Sequence, residues 1–192
     1  MRFNKHSDLE GTHATFSASK YHWINYPDDK LDHVFEVNEA DAKGTRLHNL
    51  ARLAIDDSIK LSEDPDHMTE PYQATMALFV NEAIDLGMSA EVVLKYSDNF
   101  YGTADAIGYT TDYLNIHDLK TGVNKVSPTQ LYVYAALFCL EYGLRPFAIQ
   151  TELRIYQLGQ VIKIMADAEF IAHVMSRIVY IEERIQARQN AF

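Results

Sequence analysis

Apolar residues recur at helical spacing through TRLHNLARLAIDDSIKL, where Leu47, Leu50, Ala51, Ala54 and Ile55 share one side and predict a helix. A polar, proline-containing loop, SEDPDHM, separates it from TEPYQATMALFVNEAIDLG. That segment offers Thr69 as cap, Pro71 in the first turn and Gly87 as stop. Upstream, FSASKYHWINYP reads as a short helix capped by serine and ended near Pro27. The period then falls to two, and EVVLKYS, FYGTADAIGYT and DYLNIHDLKT read as three strands at hairpin spacing. SPTQLYVYAALFCLEYG returns to helix, with Ser127 as cap, Pro128 at the first position and Gly143 at the end. FAIQTELRIYQLG is a fourth strand. From Asp167 to Gln189 a long helix brings Phe170, Val174, Ile178 and Ile181 into register. This order predicts an α/β or α+β fold, a small mixed, mostly antiparallel sheet flanked by helices.

Composition narrows the setting. The chain has 192 residues, 47% of them hydrophobic, which suits one domain with a full core. No run approaches the roughly 18 apolar residues of a membrane span, and MRFNKHSDLEGTHATF lacks a signal-peptide core. The expectation is a cytoplasmic protein with no membrane partner. The single cysteine, Cys139, excludes an intramolecular disulfide and a cysteine-ligated iron–sulfur cluster, and reads as a buried small hydrophobe. The formal net charge of −10 argues against a nucleic-acid partner. Its distribution softens that argument: residues 28–70 carry 12 acids and 5 bases, residues 118–192 carry 7 and 8. A local phosphate-binding face stays open.

One strand carries the chemistry. In residues 113–120 the side chains alternate, so Leu114, Ile116, Asp118 and Lys120 share a face. If the preceding hairpin turns on Thr111-Asp112, Asp105 falls opposite Asp118 on that face. Two facing carboxylates repel unless something positive lies between them, and oxygen ligands favour magnesium or manganese. Lys120 would then hold a water or an anionic oxygen. The bland alternative is an ion pair at a strand end. Against it stand Gly102, which permits a close approach, and His48, one turn into a helix. Gln130 and Tyr134 add to this, at i and i+4 on the next helix. Glu91 opens the first strand and either reaches this site or merely starts the strand.

The order GTRLH, GTAD, DLK and QLYVY resembles the RecB-type branch of the PD-(D/E)XK nuclease superfamily, above all its small stand-alone members, often phage- or prophage-encoded. The resemblance runs from SASKYHWINYP through RIYQLG. It implies a restriction-endonuclease-like core in a single nuclease domain over 1–192. Residues 1–90 would be helical, 91–160 would hold the sheet, core helix and active site, and 161–192 the C-terminal helix. Carried over by motif, His48, Asp105, Asp118 and the Leu119 backbone carbonyl would hold one or two Mg²⁺ or Mn²⁺ ions. Lys120 would position the attacking water, while Gln130 and Tyr134 serve the site and the substrate backbone. The branch more often has Glu at the position of Asp118. Related nucleases often read SxS…CP and hold an iron–sulfur cluster; here Tyr26 replaces that cysteine, so no cluster is expected.

The resemblance thus implies a metal-dependent DNA nuclease, by preference an exonuclease, acting in DNA recombination or processing in a bacterial or phage-infected cell. A recombination partner protein and a homo-oligomer stay open. Two alternatives stand beside it: a nuclease-fold binding or regulatory subunit, and a structure-specific or RNA-directed endonuclease. Lys125, Arg145 and Arg154 are candidate phosphate contacts. Ser17 and Ser19 read as caps, and Tyr21, Trp23 and Tyr26 as packing aromatics. His6, His13, His22, His33, His67, His117 and His173 lack metal-ligand spacing.

Overall fold

The computed structural model describes residues 23–68, 70–124 and 126–189. The chain divides between Arg46 and Leu47 into two compact units. In the first, residues 23–25 form a tight turn, Tyr26 N–H donates to the Trp23 carbonyl, and helix α1 (Asp28–Asp56) begins after Pro27. Asp28 and Asp29 sit in its first turn, where the helix dipole favours acids. The start is earlier than the periodicity predicts, because in residues 28–44 the large apolar set is confined to Leu31, Val34, Phe35 and Val37 and does not continue into the stripe of Leu47, Ala51 and Ile55.

The second unit is built on a five-stranded sheet in the order β1-β2-β3-β4-β5. β1 (Ser89–Ser97), β2 (Phe100–Thr110) and β3 (Tyr113–Lys120) form the expected antiparallel meander. β3 and β4 (Gln150–Gln157) run parallel. Parallel neighbours need a crossover, and α3 (Thr129–Tyr142) supplies it. The Thr129 N–H donates to Ser127 Oγ, so the helix starts one residue later than predicted; Gly143 ends it in the left-handed conformation (φ 65°). β5 (Gln160–Met165) replaces the expected helical start of segment 161–192. It follows β4 through Leu158-Gly159, both at positive φ, the requirement of a tight two-residue hairpin turn. As a largely exposed edge strand it lacks the clean alternation that a half-buried strand shows.

Two cores cover the two faces of the sheet. On one, α3 and α4 (Ala168–Gln189) pack Leu131, Ala135, Ile171 and Ile178 against Leu114, Ile116, Leu153 and Ile155. Each fully buried side chain of this kind contributes about 1.5–3 kcal/mol. Cys139 lies in this core, and burial pushes its thiol up to about 11. On the other face, Leu47, Ala51 and Ile55 of α1 join Phe79, Val80 and Ala83 of α2 (Pro71–Asp85) over Ala106, Leu119 and Tyr156. The helix stripes differ from the predicted ones in detail. Leu50 is exposed, and α4 buries Ile171, Ile178 and Glu182 where Phe170 and Ile181 were expected. The cap of α2 is Glu70, whose N–H donates to Gln73 Oε1; Thr69 lies outside the described residues. Among the described residues no helix is long and apolar enough to cross a membrane.

Candidate active site

The β2–β3 hairpin turns on Thr111-Asp112, with Thr111 at φ 54°, and pairs Ala106 with His117. The next step of that register sets Asp105 opposite Asp118, as the alternation predicts. On the other side, Ala90 pairs with Ala106 and Val92 with Ala104, so Glu91 also stands opposite Asp105. Glu91, Asp105 and Asp118 therefore form a row of carboxylates across three adjacent strands. Like charges directly opposite one another destabilise a sheet. Glu91 itself adopts φ 50°, a left-handed conformation that costs a non-glycine residue about 1–3 kcal/mol and concentrates at functional sites.

His48, the second residue of the second unit and carried by α1, reaches over this row. Its Nδ1 lies 3.3 Å from Asp105 Oδ1 and 4.0 Å from Glu91 Oε1. One ligand atom from each of His48, Glu91 and Asp105 falls within 4.8 Å of the others. Asp105 is aimed by its second oxygen, which accepts the Leu119 N–H at 2.7 Å. Leu119, named above for its carbonyl, thus also serves the site through its amide. Asp118 is almost wholly buried; Oδ1 meets Lys120 Nζ at 3.0 Å, while Oδ2 has no hydrogen-bond partner. Lys120 Nζ also donates to Gln130 Oε1 at 3.1 Å, and Gln130 Nε2 donates to the Tyr134 hydroxyl at 2.8 Å. Gly102 has its reason here: a Cβ at that position would stand 2.9 Å from Tyr134 Cε1, so the bare backbone makes room for the ring.

The electrostatics match the geometry. Burial and the neighbouring Asp105 charge raise the Asp118 pKa, against the opposing pull of Lys120 and His48. Burial and Asp105 likewise raise Glu91. His48 is raised chiefly by its hydrogen bond with Asp105; burial opposes this, and the charges of Asp105, Glu91 and Asp118 add to it. Tyr134 is pushed up mainly by burial. With His48 neutral, three carboxylates and one lysine leave a net charge of −2, which a divalent cation would cancel. Hard oxygen donors with one imidazole suit Mg²⁺ or Mn²⁺, and the orphaned Asp118 Oδ2 is a further acceptor beside them.

Not every candidate converges here. Arg154 lies beside His117 on the opposite face, its guanidinium bound to Glu82 (2.6 Å) and to Glu152. It is removed from the phosphate-contact set because two carboxylates already satisfy it. Arg145 is exposed on the connection that enters β4 at its Tyr113 end, away from Lys120. Lys125, with Ser17, Ser19 and Tyr21, lies outside the described residues. The Lys120 end of β3 is steadied instead by Gln157, whose Nε2 donates to the Gly122 and Asn124 carbonyls.

Compared with protein-family models, with curated proteins and with solved structures, the chain matches none, so the site is read on its own geometry.

Proposed function

We propose that this chain is a divalent-metal-dependent deoxyribonuclease of the RecB-type PD-(D/E)XK kind, working from DNA ends. The observation that carries the reading is the carboxylate row Glu91–Asp105–Asp118, roofed by His48 and flanked by Lys120, with the Gln130–Tyr134 pair beside it. Five elements, α1, β1, β2, β3 and α3, bring these residues together, in the motif order on which the resemblance rests. The mixed sheet flanked by helices supports the same reading.

His48, Glu91 and Asp105 would hold the ion, with Asp118 beside them. When bound, the ion supplies charge to a phosphodiester oxygen and acidity to a coordinated water. The protein's own groups do the rest. An ammonium has three N–H donors; Asp118 and Gln130 take two, and the third is left to orient the attacking water or to stabilise the developing charge. The Tyr134 hydroxyl accepts from Gln130, so its own proton is free for a phosphate oxygen. In the free protein a proton on His48 partly offsets the carboxylates, and metal binding would displace it.

The test is cleavage of matched linear and covalently closed circular DNA, single- and double-stranded, in Mg²⁺ or Mn²⁺, with Lys120→Ala alongside. Loss of linear DNA alone, absent in the variant, is expected. Cutting of circles would replace the exonuclease with an endonuclease. Equal cleavage by the variant would remove the assignment.

A further inference from the structure

Helix α4 carries three acids, and none lies on one of its flanks. Glu182 turns inward to accept from Ser97 Oγ (2.9 Å) and Asn99 Nδ2 (3.2 Å). Glu183 lines the groove towards α3 with Leu140 and Pro146, and Glu169 sits in the first turn. The other flank presents Arg177, Arg184 and Arg188 around Tyr180, Ile181 and Ile185. All three arginines are exposed, and among the described residues none pairs with a carboxylate.

Two of the arginines, Arg177 and Arg184, are also held in place. The Arg177 and Arg184 guanidinium carbons lie 5.3 and 5.7 Å from the Tyr180 ring centroid, and Arg184 Nη1 donates to the Tyr180 hydroxyl at 2.9 Å. A guanidinium fixed on an aromatic loses less freedom when it binds an anion, and its planar fork matches phosphate geometry. The spacing fits a repeating anion. Seven and four residues of helix separate the arginines by about 10 and 6 Å. A row of cations along one flank, repeated at this scale, suits the repeating charge of a nucleic-acid backbone. Ile181 and Ile185 leave apolar surface between the charges for sugars and bases.

Position adds a further argument. The Glu182 contacts pin this stretch of α4 to the β1–β2 turn. Because β2 and β3 are antiparallel, that turn lies at the end of the sheet where β3 delivers Lys120.

We infer that the Arg177–Arg184–Arg188 flank of α4 is a second nucleic-acid contact, which grips the phosphate backbone of a single DNA strand outside the cleavage site. The choice of DNA as the polyanion rests on the nuclease reading; the anion site itself rests on the arginines. The experiment is fluorescence anisotropy of a labelled single-stranded oligonucleotide with the full chain in EDTA, where no metal-dependent cleavage intervenes. Affinity is measured across a salt series for wild type and for two triple variants. One is Arg177→Gln with Arg184→Gln and Arg188→Gln; the other carries lysine at all three positions. The glutamine variant is expected to bind more weakly, with its slope of log affinity against log salt reduced by about 2, at ~0.7 per phosphate contact. The lysine variant is expected to keep most of the slope. Equal slopes for wild type and glutamine variant would overturn the inference. Arginine-dependent binding to phosphatidylserine vesicles, with oligonucleotide binding unchanged, would overturn it in favour of a membrane surface. Wild type that cleaves nothing, yet shows the slope change, would sink the nuclease reading and leave this one standing.

Discussion

His117 and Asp118 are neighbours in one strand, and each anchors a buried polar cluster on its own face of the sheet. Behind the sheet, Glu82 and Glu152 meet Arg154, Lys163 stands 3.6 Å from Glu82, and Tyr156 donates to Glu82. His117 Nδ1 lies 3.0 Å from the Tyr156 hydroxyl, and burial with the nearby Arg154 charge drives its pKa down to about 3, so it stays neutral. Two acids and two bases close that network at zero net charge. In front, Glu91, Asp105 and Asp118 face Lys120 and a titratable His48, and the sum is −2 before the histidine is protonated. Burial tends to raise Glu82, Glu152, Glu91 and Asp118, but the outcomes diverge. Tyr156 and Arg154 hold Glu82 below its ordinary value, and Tyr113 and Arg154 do the same for Glu152. Asp118 and Glu91 stay raised. His117 Nε2, like Asp118 Oδ2, has no hydrogen-bond partner, so what separates the two faces is charge: a balanced network is what a fold needs, and one short of a cation, fixed in place by its surroundings, is what a ligand completes.

This contrast makes separate demands on activity and stability. The largest expected effect is on the open face. Asp105→Asn and Asp118→Asn reduce DNA cleavage to background, because each removes charge that the ion needs. In EDTA at neutral pH, however, calorimetry should show Asp118→Asn melting above wild type, since it relieves a buried carboxylate whose ionised form is disfavoured. A lower melting temperature for that variant would blur the distinction between the two faces.

The closed face should behave in the opposite way. Arg154→Met leaves Glu82 and Glu152 without their cation and should cost about 3 kcal/mol in denaturant unfolding, while specific activity per folded molecule is retained. Lost activity in the folded variant would mean that Arg154 serves the site after all.

The pH dependence sharpens the comparison further. Asp118 and Glu91 have folded pKa values above their unfolded values of about 4, so their contribution is greatest below that pH and declines as pH rises through the folded values. His48, raised from 6.5, follows the same direction: its stabilising proton is lost as pH climbs through its folded value. Glu82 and Glu152, held low, stabilise above about 4.5 and lose that contribution as pH falls through their folded values. In EDTA the open face therefore weakens the fold as pH rises through these raised values, the carboxylates first and His48 after them. Saturating Mn²⁺ should raise the melting temperature more at the upper end, by the equivalent of about 2–3 kcal/mol at a hundredfold excess over Kd. A metal-induced shift independent of pH would remove His48 from the ligand set.

The smallest effect concerns the strained residue. Glu91→Gly relieves a positive φ and should stabilise the metal-free protein by up to about 1 kcal/mol, offset in part by glycine's greater freedom when unfolded. It should also weaken Mn²⁺ binding by calorimetry. Unchanged affinity would reduce Glu91 to a strand opener.

The sequence was most legible where local rules were strong. Alternation in YLNIHDLK set Asp118 and Lys120 on one face, and the two-residue turn aligned Asp105 with Asp118. The i, i+4 spacing brought Gln130 to Tyr134. Legibility failed where the signal was weak or nonlocal. Residues 28–44 form helix with only a short apolar set around Leu31, Val34 and Phe35, and the edge strand β5 has no buried face to impose alternation. The Leu158-Gly159 dipeptide, with glycine second, was the available hint of its hairpin. Arg154 looked like a phosphate ligand because strand alternation says which face a side chain takes, but not which carboxylates another helix brings to that face.

What the sequence alone determined is thus the local geometry: the meander, the crossover helix, and the sharing of one face by Asp105, Asp118 and Lys120. Steric alternation and hydrophobic period are properties of the covalent chain and its nearest neighbours, and they need no distant partner. Tertiary structure decided the balance of charge. It turned Glu91 into the row through a backbone twist, set His48 over Asp105 from a helix more than 50 residues earlier, and closed Arg154 off with Glu82. Coulomb energies depend on distance and burial rather than on order along the chain, so only the folded molecule separates the network that is complete from the one that still lacks a cation.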